Sequence, residues 1–286
     1  MQLGGRRRST NVEDRRSGGG MGRKAMVGAP LGCGTIVIGL VLVLLGVDPL
    51  QVLSLLSDPS VTSPTQQRPA PRTTSGADDQ LADFASQVLA DTEDTWTAIF
   101  QQSGSSYREP SLVLFTDSVR SACGMSSAAV GPFYCPGDQK VYIDLSFFHE
   151  LGTRYGAPGD FAQAYVLAHE VGHHIQTLTG KSAEVRTLQA RVSEIQGNAL
   201  SVKLELQADC YAGVWGHHAA QKGLLSDGDM QEGLAAAHAI GDDRLQRQAR
   251  GHVTPDSFTH GSSEERGRWL TIGLRSGDPS ACDTFR

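Results

Sequence analysis

The chain has 286 residues, 39% of them hydrophobic and 20% charged, with a formal net charge of −6 at pH 7. That content allows one or two globular domains, and the acidic balance excludes a nucleic-acid surface built on bulk positive charge.

Charge is unevenly spread. Residues 1–24 carry Arg6, Arg7, Arg8, Arg15, Arg16, Arg23 and Lys24 against Glu13 and Asp14, with Gly18 to Gly20 between them. Such a segment predicts a disordered basic tail. Residues 25–47 hold no charge and are apolar through Ile36 to Leu45, long enough as a helix to cross a hydrocarbon core of about 30 Å. With the basic cluster before this stretch and Asp48 and Asp58 after it, the expected topology is a single-pass cell-membrane protein, N-terminus cytoplasmic and the rest extracytoplasmic. A cleaved signal peptide fits less well, because the apolar region is long and no small-residue cleavage site follows it. Residues 48–79, rich in proline, serine and threonine, read as a flexible linker, leaving residues 80–286 as the folded domain.

Within that domain Leu81, Phe84, Val88, Leu89, Trp96, Ile99 and Phe100 recur at helical spacing, as one helix or two broken near Asp91. Ser111–Thr116 and Lys140–Leu145 read as strands, and the second is the candidate edge to which a peptide could add. Ala157–Asp160 supplies a turn and an Asp160 N-cap for the next helix. After a second helical run around residues 199–215, Gly223–Asp229 is a turn and Met230–Arg250 reads as one more helix. Of five cysteines Cys33 falls in the apolar stretch; Cys123, Cys135, Cys210 and Cys282 suggest two disulfides in an exported domain. The short loop favours Cys123 with Cys135 and so Cys210 with Cys282, although the other two pairings stay open.

The chemistry sits in Tyr165–Gln176, YVLAHEVGHHIQ. On a helix His169 and His173 leave one face and can share a metal ion, while Glu170 at the rim can act as a base without being a ligand. The surrounding Val166, Leu167, Ala168, Val171, Gly172 and Ile175 are apolar or small, as a core helix presenting only those three groups requires. No histidine follows soon after to complete a three-histidine set, and no second E-x-x-H exists for a di-iron site. In Leu204–Asp209, LELQAD, Glu205 and Asp209 are again four apart. Glu205 is the candidate third ligand, and Asp209 the acceptor for the N–H of a ligand histidine. This is the glutamate-ligand arrangement of thermolysin-like zincins. His260, in FTHGSSEER, is the first choice for donating to an oxyanion, with His252 and Tyr165 behind it; the alternative is that His260 only ends a loop before a capped helix.

HEVGHH and LELQAD, together with NVEDRR at Asn11–Arg16, SACG at Ser121–Gly124, GPFYCP at Gly131–Pro136, GAPGDFAQAY at Gly156–Tyr165, IGDDRLQ at Ile240–Gln246, PDSFTHGSSEER at Pro255–Arg266 and CDTF at Cys282–Phe285, resemble the bacterial family of membrane-anchored neutral zinc metallopeptidases. The resemblance runs nearly end to end. It implies a zinc-dependent peptidase fold and, by itself, no substrate. The expected whole is an α+β, mainly helical zincin-like domain with a small sheet, a Zn²⁺ cofactor held by His169, His173 and Glu205, and a peptide or protein substrate cleaved with Glu170 as general base. The rival readings are a non-catalytic membrane-tethered metal-binding or interaction module, and a zinc hydrolase acting on a non-peptide cell-envelope amide.

Overall fold

The computed structural model describes residues 1–16 and 76–286. The expected membrane helix 25–47, most of the linker 48–79 and the last residues of the basic tail lie outside them. Among the described residues no helix is long and apolar enough to cross a membrane.

The architecture is α+β and mainly helical. A four-stranded sheet has the order β1 (Val12–Asp14), β2 (Ser111–Phe115), β6 (Lys140–Asp144), β5 (Phe133–Cys135). β1, β2 and β6 run parallel and β5 antiparallel to β6; a small hairpin of β3 (Ser118–Ser121) and β4 (Gly124–Ser127) stands apart. The helices are α1 (Gly76–Gln102), α2 (Ser146–Thr153), α3 (Asp160–Leu178), α4 (Lys181–Gln189), α5 (Glu194–Gln221), α6 (Asp229–Ala239), α7 (Asp242–Arg250) and α8 (Ser263–Ser276). The core forms where α1, α3, α5 and the sheet meet, around Trp96, Trp215, Tyr165, Phe161, Leu112 and Ile143, each almost fully removed from solvent. Side chains of that size contribute about 1.5–3 kcal/mol apiece on burial.

Several expectations are revised. Residues 1–16 are ordered rather than a loose tail. Leu3 enters the core at 5% exposure, and β1 pairs in register with β2, Val12 against Leu112 and Asp14 against Leu114. The arginines that suggested disorder have fixed partners: Arg7 meets Glu93 at 3.0 Å and Asp94 at 2.7 Å, Arg8 grips Asp83, and Arg16 meets Asp14 at 2.6 Å. α1 begins at Gly76, inside the expected linker, and runs unbroken past Asp91, whose carboxylate accepts from Trp215 Nε1 and Lys222.

Lys140–Asp144 is a strand but an interior one, flanked by β2 and β5, so the edge facing the site is β5. The expected helix over residues 230–250 is two, α6 and α7, parted at Ile240 and Gly241. A side chain at Gly241 would overlap the backbone nitrogen of Ser263, so α7 and the start of α8 can close together only across a glycine. Both disulfides pair as expected, Cys123–Cys135 and Cys210–Cys282.

Candidate metal centre and catalytic cleft

α3 owes its placement to a small turn. Gly159, at φ 124°, precedes it in a conformation that side chains resist, and the N-cap is this glycine rather than the expected Asp160. The free first-turn N–H of Phe161 is met from α6 by Glu232 Oε2 at 3.1 Å. One side of α3 buries Leu167, Ala168, Val171 and Ile175, which turns His169 and His173 together toward α5, with ring centroids 4.8 Å apart.

α5 starts with a Ser193–Gln196 capping box and carries Glu205 and Asp209 on the side that meets α3. The two helices approach closely because Gly172 lies against Ala208. Glu205 Oε2 is 3.2 Å from His169 Nε2, and Oε1 is 3.4 Å from His173 Nε2. One nitrogen from each histidine and a carboxylate oxygen thus converge on a point, all within 4.8 Å of one another.

The opposite ring nitrogens are occupied. His169 Nδ1 donates to Asp209 Oδ1 at 2.8 Å, and His173 Nδ1 donates to Gln176 Oε1 at 2.9 Å. Gln176 is held in turn by donating to the Leu204 carbonyl at 2.7 Å. Both imidazoles therefore turn Nε2 toward Glu205, and with Nδ1 held in this way Nε2 is the atom that a metal would take, the arrangement that orients a metal ligand and raises its basicity. Gln176 was missed in the sequence, although it stands three residues after His173 on the same helix. The adjacent His174 points elsewhere, into the core, donating to Arg108 O and meeting Tyr134; burial pushes its pKa down to about 4.

Behind His169 lies a second residue that the motif did not reveal. Arg266, on α8, donates from Nε to Asp209 Oδ2 at 2.8 Å and from Nη2 to Oδ1 at 2.9 Å; it is 2% exposed. The Tyr165 hydroxyl donates to the same Asp209 Oδ1 at 2.5 Å, so Tyr165 belongs to this network and its hydroxyl is already engaged. Burial would raise the Asp209 pKa, but Arg266 and His169 outweigh it and hold it at about 2. Burial likewise opposes charge on His169, yet Asp209 and Glu205 overcome it and raise the imidazole to about 10. The pull that favours a proton here equally favours a cation. Two neutral imidazole nitrogens and one carboxylate form a His₂Glu set, which suits tetrahedral zinc with one position left over. The residues fit the ion.

Glu170 is buried at the same face, 7% exposed, and burial raises its pKa. His260 stands across a cleft of about 580 Å³ that also exposes His169, His173, Glu205 and Glu170. Its backbone N–H donates to Asp242 Oδ2 at 2.6 Å, and its Nδ1 lies 3.3 Å from Oδ1, which leaves Nε2 clear of this contact. Asp242 raises the His260 pKa more than partial burial lowers it. His260 also ends the loop before α8, whose start is capped by Ser262 and Glu265, as the alternative reading of this residue expected. His252 is exposed and does not line the cleft. The cleft wall opposite α5 comes from Pro132, Phe133 and Tyr134 of β5 and its approach, and from Phe147 and Tyr155.

Three comparisons bear on these residues. A family model described as "Putative neutral zinc metallopeptidase" matches residues 1–285. The chain is 47% identical over 287 residues to the uncharacterized protein YpfJ of Escherichia coli K12, covering 100% of this chain and 99% of the relative. It is 47% identical over 191 residues to the uncharacterized protein Rv2575 of Mycobacterium tuberculosis H37Rv, covering 63% of each. No solved structure matches. With the family model spanning almost every residue, this chain belongs to the family described as "Putative neutral zinc metallopeptidase".

Proposed function

We propose that the chain is a zinc-dependent peptidase in which His169, His173 and Glu205 hold the metal and Glu170 is the general base. The observation that carries this reading is the convergence of the two Nε2 atoms and Glu205 at one end of an open cleft, with Glu170 beside them and not among the ligands.

Zinc bound there supplies Lewis acidity to a water and a carbonyl. Glu170, with its pKa raised by burial, takes a proton from the attacking water and passes it to the leaving amine. His260, steadied by Asp242, donates to the oxygen on which negative charge develops. Asp209 and Gln176 keep the two ligand imidazoles in the required tautomer. Among the described residues β5 is the last strand of its sheet, and its Phe133 and Tyr134 line the cleft, where an extended peptide can add as a further strand; this favours a peptide over a compact amide substrate.

The test is zinc content and hydrolysis of a casein or peptide-library substrate by the full-length protein. Wild type and Glu170→Gln are expected to retain about one zinc per chain, Glu205→Ala to lose it, and both variants to lose hydrolysis. Zinc retained in Glu205→Ala removes the third ligand, and undiminished hydrolysis in Glu170→Gln removes the base.

A further inference from the structure

The cleft has two unlike ends. Its floor is one face of α3, from which Tyr165, His169, His173 and Thr177 all reach the opening. At 1.5 Å per residue, about 18 Å of helix separates Tyr165 from Thr177, with the two metal-facing histidines between them. Near the start of α3 the wall is apolar: Phe147, Tyr155, Ile240 and Leu245 are each half-buried, and the Phe147 and Tyr155 rings lie 6.1 Å apart. The one cation that approaches this end, Arg244, is turned onto the Tyr155 carbonyl at 3.2 Å.

The other end is polar. α4 follows α3 across a left-handed Gly180 and turns Ser182, Arg186 and Gln189 to the opening, at the spacing of one helix face. Gln189 fixes this wall by donating to Ser201 Oγ at 2.9 Å and to the Gly197 carbonyl at 3.1 Å, which ties α4 to the part of α5 just before Glu205.

Arg186 differs from every other cation that lines the cleft. Arg266 is spent on Asp209, His260 on Asp242, and His169 and His173 on Glu205. Glu184, the acid nearest Arg186 in the chain, is taken by Lys181 at 2.7 Å. Among the described residues the Arg186 guanidinium has no hydrogen bond or ion pair, and the side chain is exposed. A planar fork of N–H donors without a partner matches a carboxylate.

Resting on the peptidase reading above, we propose that the cleft selects peptides with a carboxylate on the α4 side of the scissile bond, gripped by Arg186, and an apolar or aromatic residue on the other side, against Phe147, Tyr155 and Leu245. The carboxylate belongs to a Glu or Asp side chain or to the peptide's own C-terminus; Arg186 meets the same group in either case.

The probes are short fluorescent peptides with one Phe in a background of Ala and Ser. One series is amidated and carries Glu, or Gln as its neutral match, at successive positions on either side of the Phe; the other has no Glu and ends in a free acid or an amide. Binding is followed by anisotropy on the zinc-loaded full chain carrying Glu170→Gln, so that no cleavage is needed. The acidic member of at least one pair is expected to bind about 5-fold tighter than its match, and less so in high salt. The series that shows this identifies the source of the carboxylate. Adding Arg186→Gln should abolish the preference, and Arg186→Glu should pass it to a peptide with Lys at that position. No binding by any peptide, or a preference that survives Arg186→Gln, overturns the proposal. Cleavage of the same peptides by the unsubstituted chain reads the parent activity apart. Carboxylate-dependent binding with no cleavage sinks the peptidase reading and leaves the Arg186 site, whereas cleavage with no carboxylate preference does the reverse.

Discussion

Arg266 reaches Asp209 with two nitrogens at 2.8 and 2.9 Å, a fork-to-carboxylate bond shut away from solvent that ties α8 to α5 directly behind the His169 ring. Removing one partner strands a buried charge, so Asp209→Asn or Arg266→Met is expected to cost about 3–5 kcal/mol in urea unfolding. The double variant should cost clearly less than the sum of the two, because neither charge is then left alone. Additive costs in that cycle would show that the pair does not act as a unit. Asp209→Asn should also weaken zinc binding about 10–100-fold, read by competition with a chelator.

Gly172 and Gly197 lie on α3 and α5 with opposite surroundings. A Cβ on Gly172 would sit 2.9 Å from the Ala208 carbonyl oxygen, whereas one on Gly197 meets nothing within 4 Å. Gly172→Ala should therefore force the helices apart and cost about 1–3 kcal/mol, with zinc held less tightly as Glu205 moves off the histidines. Gly197→Ala should stabilise by about 0.5–1 kcal/mol with zinc binding unchanged. Thermal melts and metal analysis on the pair separate the contact from the substitution; equal effects would refute it.

The His260–Asp242 contact predicts a pH signature. His260 has its pKa raised in the folded chain, so the contact's contribution is fully present below the ordinary value near 6.5 and is lost as pH climbs through the raised one. Asp242 is lowered, mostly by its bonds to His260 and its neighbours against the opposing effect of burial, so its share is lost only as pH falls through that lowered value. In Asp242→Asn the His260 resonance, followed by NMR, should titrate at lower pH than in wild type. An unchanged midpoint would remove Asp242 as the orienting group.

The two disulfides should differ in weight. Cys210–Cys282 closes a loop with a sequence separation of 72 and Cys123–Cys135 one of 12. On loop-entropy grounds the first is worth about 4 kcal/mol and the second about 3 kcal/mol. Cys282→Ser should thus lower the melting temperature more than Cys123→Ser, and it should also loosen α5 next to Asp209. The reverse order would point to strain or solvation rather than chain entropy.

The convergence of His169, His173 and Glu205 was legible because its logic is local. His169 with His173, and Glu205 with Asp209, are each four apart on one helix, and helical periodicity alone puts each pair on one face. What escaped was anything that depends on a third element. Arg266 reads in the sequence as one more charge in SEERGR, and only the packing of α8 on α5, through Gly273 against the Cys210 carbonyl, shows it to be buried. Asp242 looked like a mid-helix residue until the break at Gly241 made it the anchor of the His260 loop. β1 was invisible for a related reason: VED alternates nothing and carries two acids, so its strand character comes wholly from the neighbour it pairs with.

The pairing of β1 with β2 also sets an order of events. Val12 must find Leu112 across a long intervening stretch, while β6 and β5 join through a short turn between Cys135 and Lys140. Contacts that span so much chain close slowly, because the loop must be ordered before the pairing rewards it. The earliest of the described strands is thus among the last to settle, and until it does the outer edge of β2 stands open to any extended chain that arrives sooner.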